Sequence, residues 1–392
     1  MISPKFTLPL LVLVSIVTLL FGLWPLDFFP ENRVRWLAQQ DGIQFYKQGL
    51  STRRASGGVI HSHSPLDVRT GAHTFEPTTI EIYLESHGQR GAGLAHIVSF
   101  HDGYPRSPLV IGQWKSYLVI RSRDNQNDAR DTYREIGLEH GLSTNEKKLI
   151  TIASGPNQTE VYVSGELARS YDKRSLIGVE HFSGYLNLGN SSIGHHAWVG
   201  NVYGLALYDT LLTSEQIQQH HMLWANDRVG LPTTLKPEPL ILYTFTERTG
   251  AAVYNQVDNT NHLIIPSAFK ALKRGILIRF WRDMAWDRGL VVDILVNVLG
   301  FIPFACCLLM FLTGNRHMSP NRATLLTVIA SATLSLVIEI GQMGLPTRTP
   351  SSLDLLCNTL GAALGTMVFR IILGKRHASQ LGACPSNAPS NS

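Results

Sequence analysis

The sequence predicts a multidomain membrane protein: an all-β sandwich joined to an α-helical transmembrane bundle, with four spans in total. Three observations carry this reading. The 392-residue chain has a mean hydropathy of only +0.03, but that average mixes a polar stretch, about Leu26 to Trp286, with apolar segments on either side. Within the polar stretch, apolar residues recur with period two, the spacing of a strand. In the apolar C-terminal part, the octet Asp293-Ile-Leu-Val-Asn297-Val-Leu-Gly300 is nearly repeated as Asp354-Leu-Leu-Cys-Asn358-Thr-Leu-Gly361.

Taken in order, residues 1–25 hold the first span, about Leu8 to Trp24, which no charge interrupts. Its exit, Trp24-Pro-Leu-Asp-Phe-Phe29, is bulky and offers no small-x-small cleavage site, so an uncleaved anchor is expected rather than a signal peptide. Residues 30–266 follow. Here Ile80, Ile82 and Leu84 alternate with Thr79, Glu81 and Tyr83, while Val161 and Val163 flank Tyr162 and Leu205 and Leu207 flank Ala206. Turn clusters such as Ser154-Gly-Pro-Asn157 separate the runs, as in an antiparallel sandwich. Thr213 and Gln216 form a capping box that opens a short helix. The four cysteines, Cys306, Cys307, Cys357 and Cys384, all lie beyond this region, so it has no disulfide framework.

The motifs Thr79-Ile-Glu81, Gly112-Gln113, Glu160-Val-Tyr-Val-Ser-Gly165, Leu186-x-Leu188-Gly189, Trp198-Val-Gly200 and Leu212-Thr-Ser-Glu215-x-Ile217 make this region similar to the laminin-G-like, concanavalin A-like jelly roll. The segment from Leu240 to Pro266 either completes that sandwich or is a vestigial second unit. The resemblance implies an external domain that binds a glycan or a protein. Asp102, Tyr104 and Trp114, near a Gly-rich turn, are the candidate ligand-binding residues. Glu160 has no carboxylate at i+2 or i+4, which argues against glycoside hydrolysis.

Residues 267–288 read as a juxtamembrane amphipathic segment with Phe280, Trp281 and Trp286 as anchors. Residues 289–375 hold the other three spans, about Leu290–Leu312, Ala323–Gln342 and Leu353–Leu373, and residues 376–392 read as a disordered cytoplasmic tail. The basic residues Arg316, Arg322, Lys375 and Arg376 place the 313–322 link and the C-terminus in the cytoplasm, and so the large domain outside.

Asp, Asn and Gly at i, i+4 and i+7 share one helix face. A carboxylate in a membrane helix costs roughly 2.5–3.5 kcal/mol on insertion scales, so such faces are expected to look inward. A third polar face, Ser331, Ser335, Glu339 and Gln342, lies between the two octets. The expected polar membrane cluster is therefore Asp293, Asn297, Ser335, Glu339, Gln342, Asp354 and Asn358, with Arg348 bending over it from the outer turn. Gly300, Gly361 and Gly365 are the expected helix-packing positions. The order Asp293-x3-Asn297-x2-Gly300-Phe301-x-Pro303, Ser335-x3-Glu339-x2-Gln342, Arg348, Asp354-x3-Asn358 and Gly361-x3-Gly365 resembles the VanZ-like membrane domain. That family is bacterial and is named for a protein linked to teicoplanin resistance. The resemblance implies a cell-envelope protein of the bacterial inner membrane and assigns no reaction.

The net charge of +5 lacks the aromatic-interleaved basic stripe of a nucleic-acid binder; membrane lipids and an envelope glycan or protein are the expected partners. No cofactor motif is present. No metal is expected either, because in His195-His196 and His220-His221 neighbouring side chains do not share a face. Three classes remain: a binding protein whose bundle holds an amphiphile or head group near the outer leaflet, a structural anchor, and an intramembrane enzyme acting on a lipid-linked substrate. With no Ser-His-Asp, HExxH or phosphate-loop constellation, binding ranks ahead of catalysis.

Overall fold

The computed structural model describes residues 4–24, 26, 28, 30–47, 57–66, 76–88, 93–102, 107–123, 133–192, 194, 196–226, 231–269, 288–345, 348 and 350–381. They divide into two compact units, Phe29–Arg274 and Met1–Phe28 with Gly275–Ser392.

The first unit is an antiparallel sandwich. Its strands are β1 (Val34–Trp36), β2 (Ile43–Phe45), β3 (Ile60–Ser62), β4 (Thr78–Ser86), β5 (Ala95–His101), β6 (Leu109–Trp114), β7 (Tyr117–Arg123) and β8 (Tyr133–Leu138). They continue with β9 (Lys147–Ser154), β10 (Gln158–Val163), β11 (Glu166–Asp172), β12 (Tyr185–Leu188), β13 (Gly200–Tyr208), β14 (Ile241–Tyr243), β15 (Ala252–Val253) and β16 (Leu263–Ile264). One sheet has the order β1-β2-β13-β4-β9-β10-β11, with β14 also on β13; the other runs β15-β16-β3-β12-β5-β6-β7-β8. The alternating apolar residues do what their spacing predicts. Ile80, Ile82, Leu84, Ile150, Ile152, Leu205 and Leu207 from one sheet meet Ile97, Phe100, Ile111, Leu118 and Ile120 from the other in a single core. Trp198 sits in this core, and its indole N–H donates to Gln113 Oε1 at 2.7 Å.

The opposite face of the first sheet departs from the expected pattern. Period-two alternation suggests a solvated face, yet Thr79, Glu81 and Tyr83 of β4 are buried. Helix α2 (Ser214–Asn226) and the short α3 (Leu231–Thr234) cover them, and Tyr83, Tyr203, Tyr208, Ile217 and Trp224 form a second core. The capping box sets where α2 starts: the Thr213 N–H donates to Gln216 Oε1 and the Gln216 N–H to Thr213 Oγ1. Gly204 permits the cover, because a Cβ there would lie 1.9 Å from Trp224.

The segment after Leu240 completes the sandwich. β14 pairs with β13, and β16 pairs with β3. Pairing also continues past the expected boundary at 266. The Asn32 N–H donates to the Ser267 carbonyl, Ala268 bridges Glu31, and the buried Phe269 donates its N–H to Pro30. Residues 267–269 thus belong to the sandwich, because Phe269 has a place in its packing. The rest of the expected amphipathic segment, 270–287, lies outside the described residues, as do 382–392 of the tail.

The second unit is a helix bundle of α1 (Pro4–Gly22), α4 (Arg288–Gly314), α5 (Pro320–Gln342) and α6 (Ser352–Leu381). Three stretches are long and apolar enough to cross a membrane: Leu290–Gly314, Pro320–Gln342 and Ser352–Ile372. The first helix has a shorter apolar part, Phe6–Gly22, which at about 1.5 Å per residue reaches about 25 Å of a roughly 30 Å hydrocarbon core. Several hydroxyl groups of the bundle are satisfied within their own helices: Thr327, Ser331 and Thr359 each donate to the carbonyl four residues earlier. Ser331 lies on the buried face of α5 with Ser335, Glu339 and Gln342, but its hydroxyl is spent on its own helix. Helix α6 extends to Leu381, past the expected start of the tail at 376.

Candidate functional site

The polar residues of the three long helices meet at one end of the bundle, where α4 begins, α5 ends and α6 begins. Ser351 is the N-cap of α6: its hydroxyl accepts the Leu353 N–H at 3.1 Å. Its own N–H donates to Glu339 Oε2 at 2.7 Å. In a capping box that second bond comes from the residue at N3, here Asp354. Glu339 takes over the role from another helix, and Asp354 is left for a different partner, the side-chain amide of Asn297 on α4. One turn on, Asn358 Nδ2 donates to Ser335 Oγ at 2.8 Å, so α5 and α6 are pinned at two successive turns. Asp293, Glu339 and Arg348 all lie within electrostatic range of Asp354. Burial is graded across the cluster. Glu339 is 2 % exposed and Asn358 4 %, Asn297 and Asp354 are half-buried, and Asp293 and Arg348 are exposed.

Helix α1 takes part in this end of the bundle, which sequence reasoning missed. The last carbonyls of a helix have no partner within it. Gln342 Nε2 donates to the Gly22 carbonyl at 2.8 Å, and Arg348 Nε to the Trp24 carbonyl at 3.2 Å. A cation at a helix C-terminus also meets the negative end of the helix dipole. At the far end of α1, Thr7 Oγ1 donates to Asn315 Oδ1 at 2.8 Å. Leu11, Val14, Leu19 and Leu23 pack on Phe301, Phe304 and Ile338 between these two points. A carbonyl at a helix end carries no side-chain signature, so no motif could have announced it.

Two of the three expected packing glycines make close contacts. A Cβ at Gly361 would lie 2.1 Å from the Val298 carbonyl oxygen, and one at Gly365 3.2 Å from Ile302 Cα. The third departs from expectation: a Cβ at Gly300 would meet nothing within 4 Å. At about 100° per residue, Gly300 is roughly 160° round α4 from Val298, on the other side of the helix.

In the sandwich, the two candidate ligand residues that are described, Asp102 and Trp114, do not converge. β5 and β6 are antiparallel, with Ala95 opposite Gln113 and Ser99 opposite Val110. Asp102 follows the end of β5 while Trp114 closes β6 at the other end, on the order of 20 Å away at about 3.3 Å per residue. Asp102 is ion-paired with Arg123 Nη1 at 3.0 Å. Trp114 packs on Tyr117, with Lys115 Nζ 4.8 Å from its ring centre. Tyr104 lies outside the described residues.

A buried charged network under α2 was not visible in the sequence. Glu81, 0 % exposed, receives His220 Nδ1–H at 2.9 Å, the Tyr208 hydroxyl at 3.0 Å and the Trp224 indole N–H at 3.0 Å. His220 Nε2 lies 3.1 Å from the Lys236 carbonyl. Burial alone would lower the His220 pKa, but the Glu81 hydrogen bond and charge, with the Lys236 carbonyl, outweigh it and hold it above its ordinary value. Among the described residues there is no group of three or more His, Cys, Asp or Glu that could hold a metal ion.

Residues 240–373 match the VanZ/LLP1 family model, and the C-terminal part of the chain is a VanZ-like membrane domain. No curated protein matches the chain. Among solved structures, the binding domain of botulinum neurotoxin DC, in complex with rat synaptotagmin II, is 13% identical, with a TM-score of 0.37 over 50% of this chain and 46% of that one. The binding domain of Paraclostridial mosquitocidal protein 1 is also 13% identical, with a TM-score of 0.32 over 50% and 47%. The chain thus spans about half the length of these structures. At these scores the likeness carries nothing about ligands.

Proposed function

We propose that the chain is a bacterial inner-membrane protein of the cell envelope whose VanZ-like bundle holds the head group of an amphiphile near the outer leaflet. In this reading the sandwich is external and binds an envelope glycan or protein, and the C-terminus is cytoplasmic. One observation supports the bundle's role above the others: acidic and amide side chains from three helices gather at one bundle end, graded from exposed Asp293 to buried Glu339. Polar groups that serve only to pin helices have no reason to reach the surface. The test is lipid retained by the purified chain, measured by mass spectrometry, with Glu339→Gln and Asp354→Asn beside the unsubstituted protein. Loss of a specific lipid from both variants at normal membrane abundance supports the reading. Unchanged lipid and an unchanged envelope phenotype overturn it.

The anchor reading also has a specific observation behind it, since Glu339–Ser351 and Asn358–Ser335 join α5 to α6. It predicts that abundance falls together with function in Glu339→Ala and Asn358→Ala, which remove these two bonds.

A further inference from the structure

We infer that the polar end of the bundle takes a protonated amine, a refinement that rests on the head-group reading above. Two independent observations point there. The first is charge. Asp293, Glu339 and Asp354 bring three carboxyl groups together against one guanidinium, that of Arg348, whose Nε is already engaged by the Trp24 carbonyl. The second is an orphan acceptor. Asn358 is 4 % exposed, its amide nitrogen is used by Ser335, and its Oδ1 has no hydrogen-bond partner. Asn358 lies one turn after Asp354 on α6, and Ser335 one turn before Glu339 on α5, so this oxygen belongs to the seam the two carboxyl groups line. A buried acceptor left without a donor costs roughly 1–3 kcal/mol.

What the seam presents is therefore acceptors of negative character, and its complement is a positively charged donor. A quaternary ammonium has charge but no N–H for Asn358. A primary ammonium has three donors on a compact charge. Asp293, exposed at the edge, and Asn297, bound to Asp354, mark the side of entry. Arg348, exposed beside the acids, is placed to meet an anionic group next to the amine, as in a zwitterionic head group. The ammonium comes either from an aminophospholipid or from a soluble amine.

The experiment is thermal unfolding of the full chain in detergent with added phosphatidylethanolamine, phosphatidylcholine or phosphatidylglycerol of the same acyl chains, and separately with ethanolamine. The expected result is a saturable rise of several degrees with phosphatidylethanolamine and none with the other two lipids. Asp293→Asn, at an exposed position, should unfold normally without lipid and need at least tenfold more phosphatidylethanolamine for the same rise. An equal rise with ethanolamine alone supports the amine site and assigns it a soluble source. Equal rises with all three lipids, or an undiminished response in Asp293→Asn, overturn the amine inference and leave the head-group reading standing. No response to any lipid or to ethanolamine overturns both.

Discussion

Ser351 donates its backbone N–H to the carboxylate of Glu339 at 2.7 Å, so the side chain near the end of α5 completes the start of α6. That bond ties the end of α5 to the start of α6. A carboxylate at a helix N-terminus also faces the positive end of its dipole.

Shape and charge at Glu339 should separate cleanly. Glu339→Gln keeps an oxygen for the Ser351 N–H, so its unfolding midpoint in detergent should stay near that of the unsubstituted chain. Glu339→Ala leaves a buried donor unpaired and should destabilise the bundle by about 1–3 kcal/mol. Equal midpoints for the two variants would show that the bond contributes nothing.

The glycines of the repeat should respond in opposite senses. Gly361→Ala drives a Cβ against the Val298 backbone, and overpacking of this kind costs about 1–3 kcal/mol. Gly300→Ala meets open space and gains helix propensity, up to about 1 kcal/mol. The readout is the unfolding midpoint of each variant in detergent. A destabilised Gly300→Ala would show that the position packs against a second molecule.

The sandwich should weaken as pH rises. His220 has a raised pKa when folded, so its contribution is fully present below the unfolded value of about 6.5 and is lost as pH climbs through the folded value. Intrinsic fluorescence of Trp198 and Trp224 in the full chain should report a midpoint that falls over that window. His220→Gln should remove the slope. His220→Ala, which leaves Glu81 buried without its cation, should cost about 3–5 kcal/mol.

The boundary of the sandwich is also testable. A fragment of residues 30–269 should unfold later than one of residues 30–266, because burying Phe269 is worth about 1.5–3 kcal/mol. Coincident unfolding curves would mean that Phe269 is dispensable.

Much of this architecture is legible in the sequence because burial imposes a period. Ile80, Ile82 and Leu84 announce β4, and the Asp293 and Asp354 octets announce two helices, although only the second turns its glycine onto a neighbour and Asp293 is exposed. Thr213 and Gln216 announce the start of α2 by themselves. What stays hidden depends on groups without a sequence period. Glu81 reads as the polar side of a strand, and only the arrival of α2 over it, with His220 and Trp224, makes it a buried acceptor. Asp102 and Trp114 stand close in the sequence, but the antiparallel register sends them to opposite ends of a strand pair. Gln342 and Arg348 were legible as polar residues; that they would hold backbone carbonyls of α1 was not.

The attachment of α1 has a consequence for how the protein is made. Thr7 and Asn315 are 308 residues apart, and at roughly 5–20 residues per second a ribosome needs on the order of 15–60 s to synthesise the second after the first. For that interval α1 exists without Asn315 and without the end of α5 that later holds its C-terminus. Its sequence suits the wait: Ser15 and Thr18 turn their hydroxyls onto their own helix, at Leu11 and Val14, and ask nothing of a partner. The Thr7 hydroxyl waits for Asn315, and the carbonyls of Gly22 and Trp24 wait for Gln342 and Arg348. The contacts that hold α1 are thus all distant in sequence, and they can form only once α4, α5 and the residues beyond them exist.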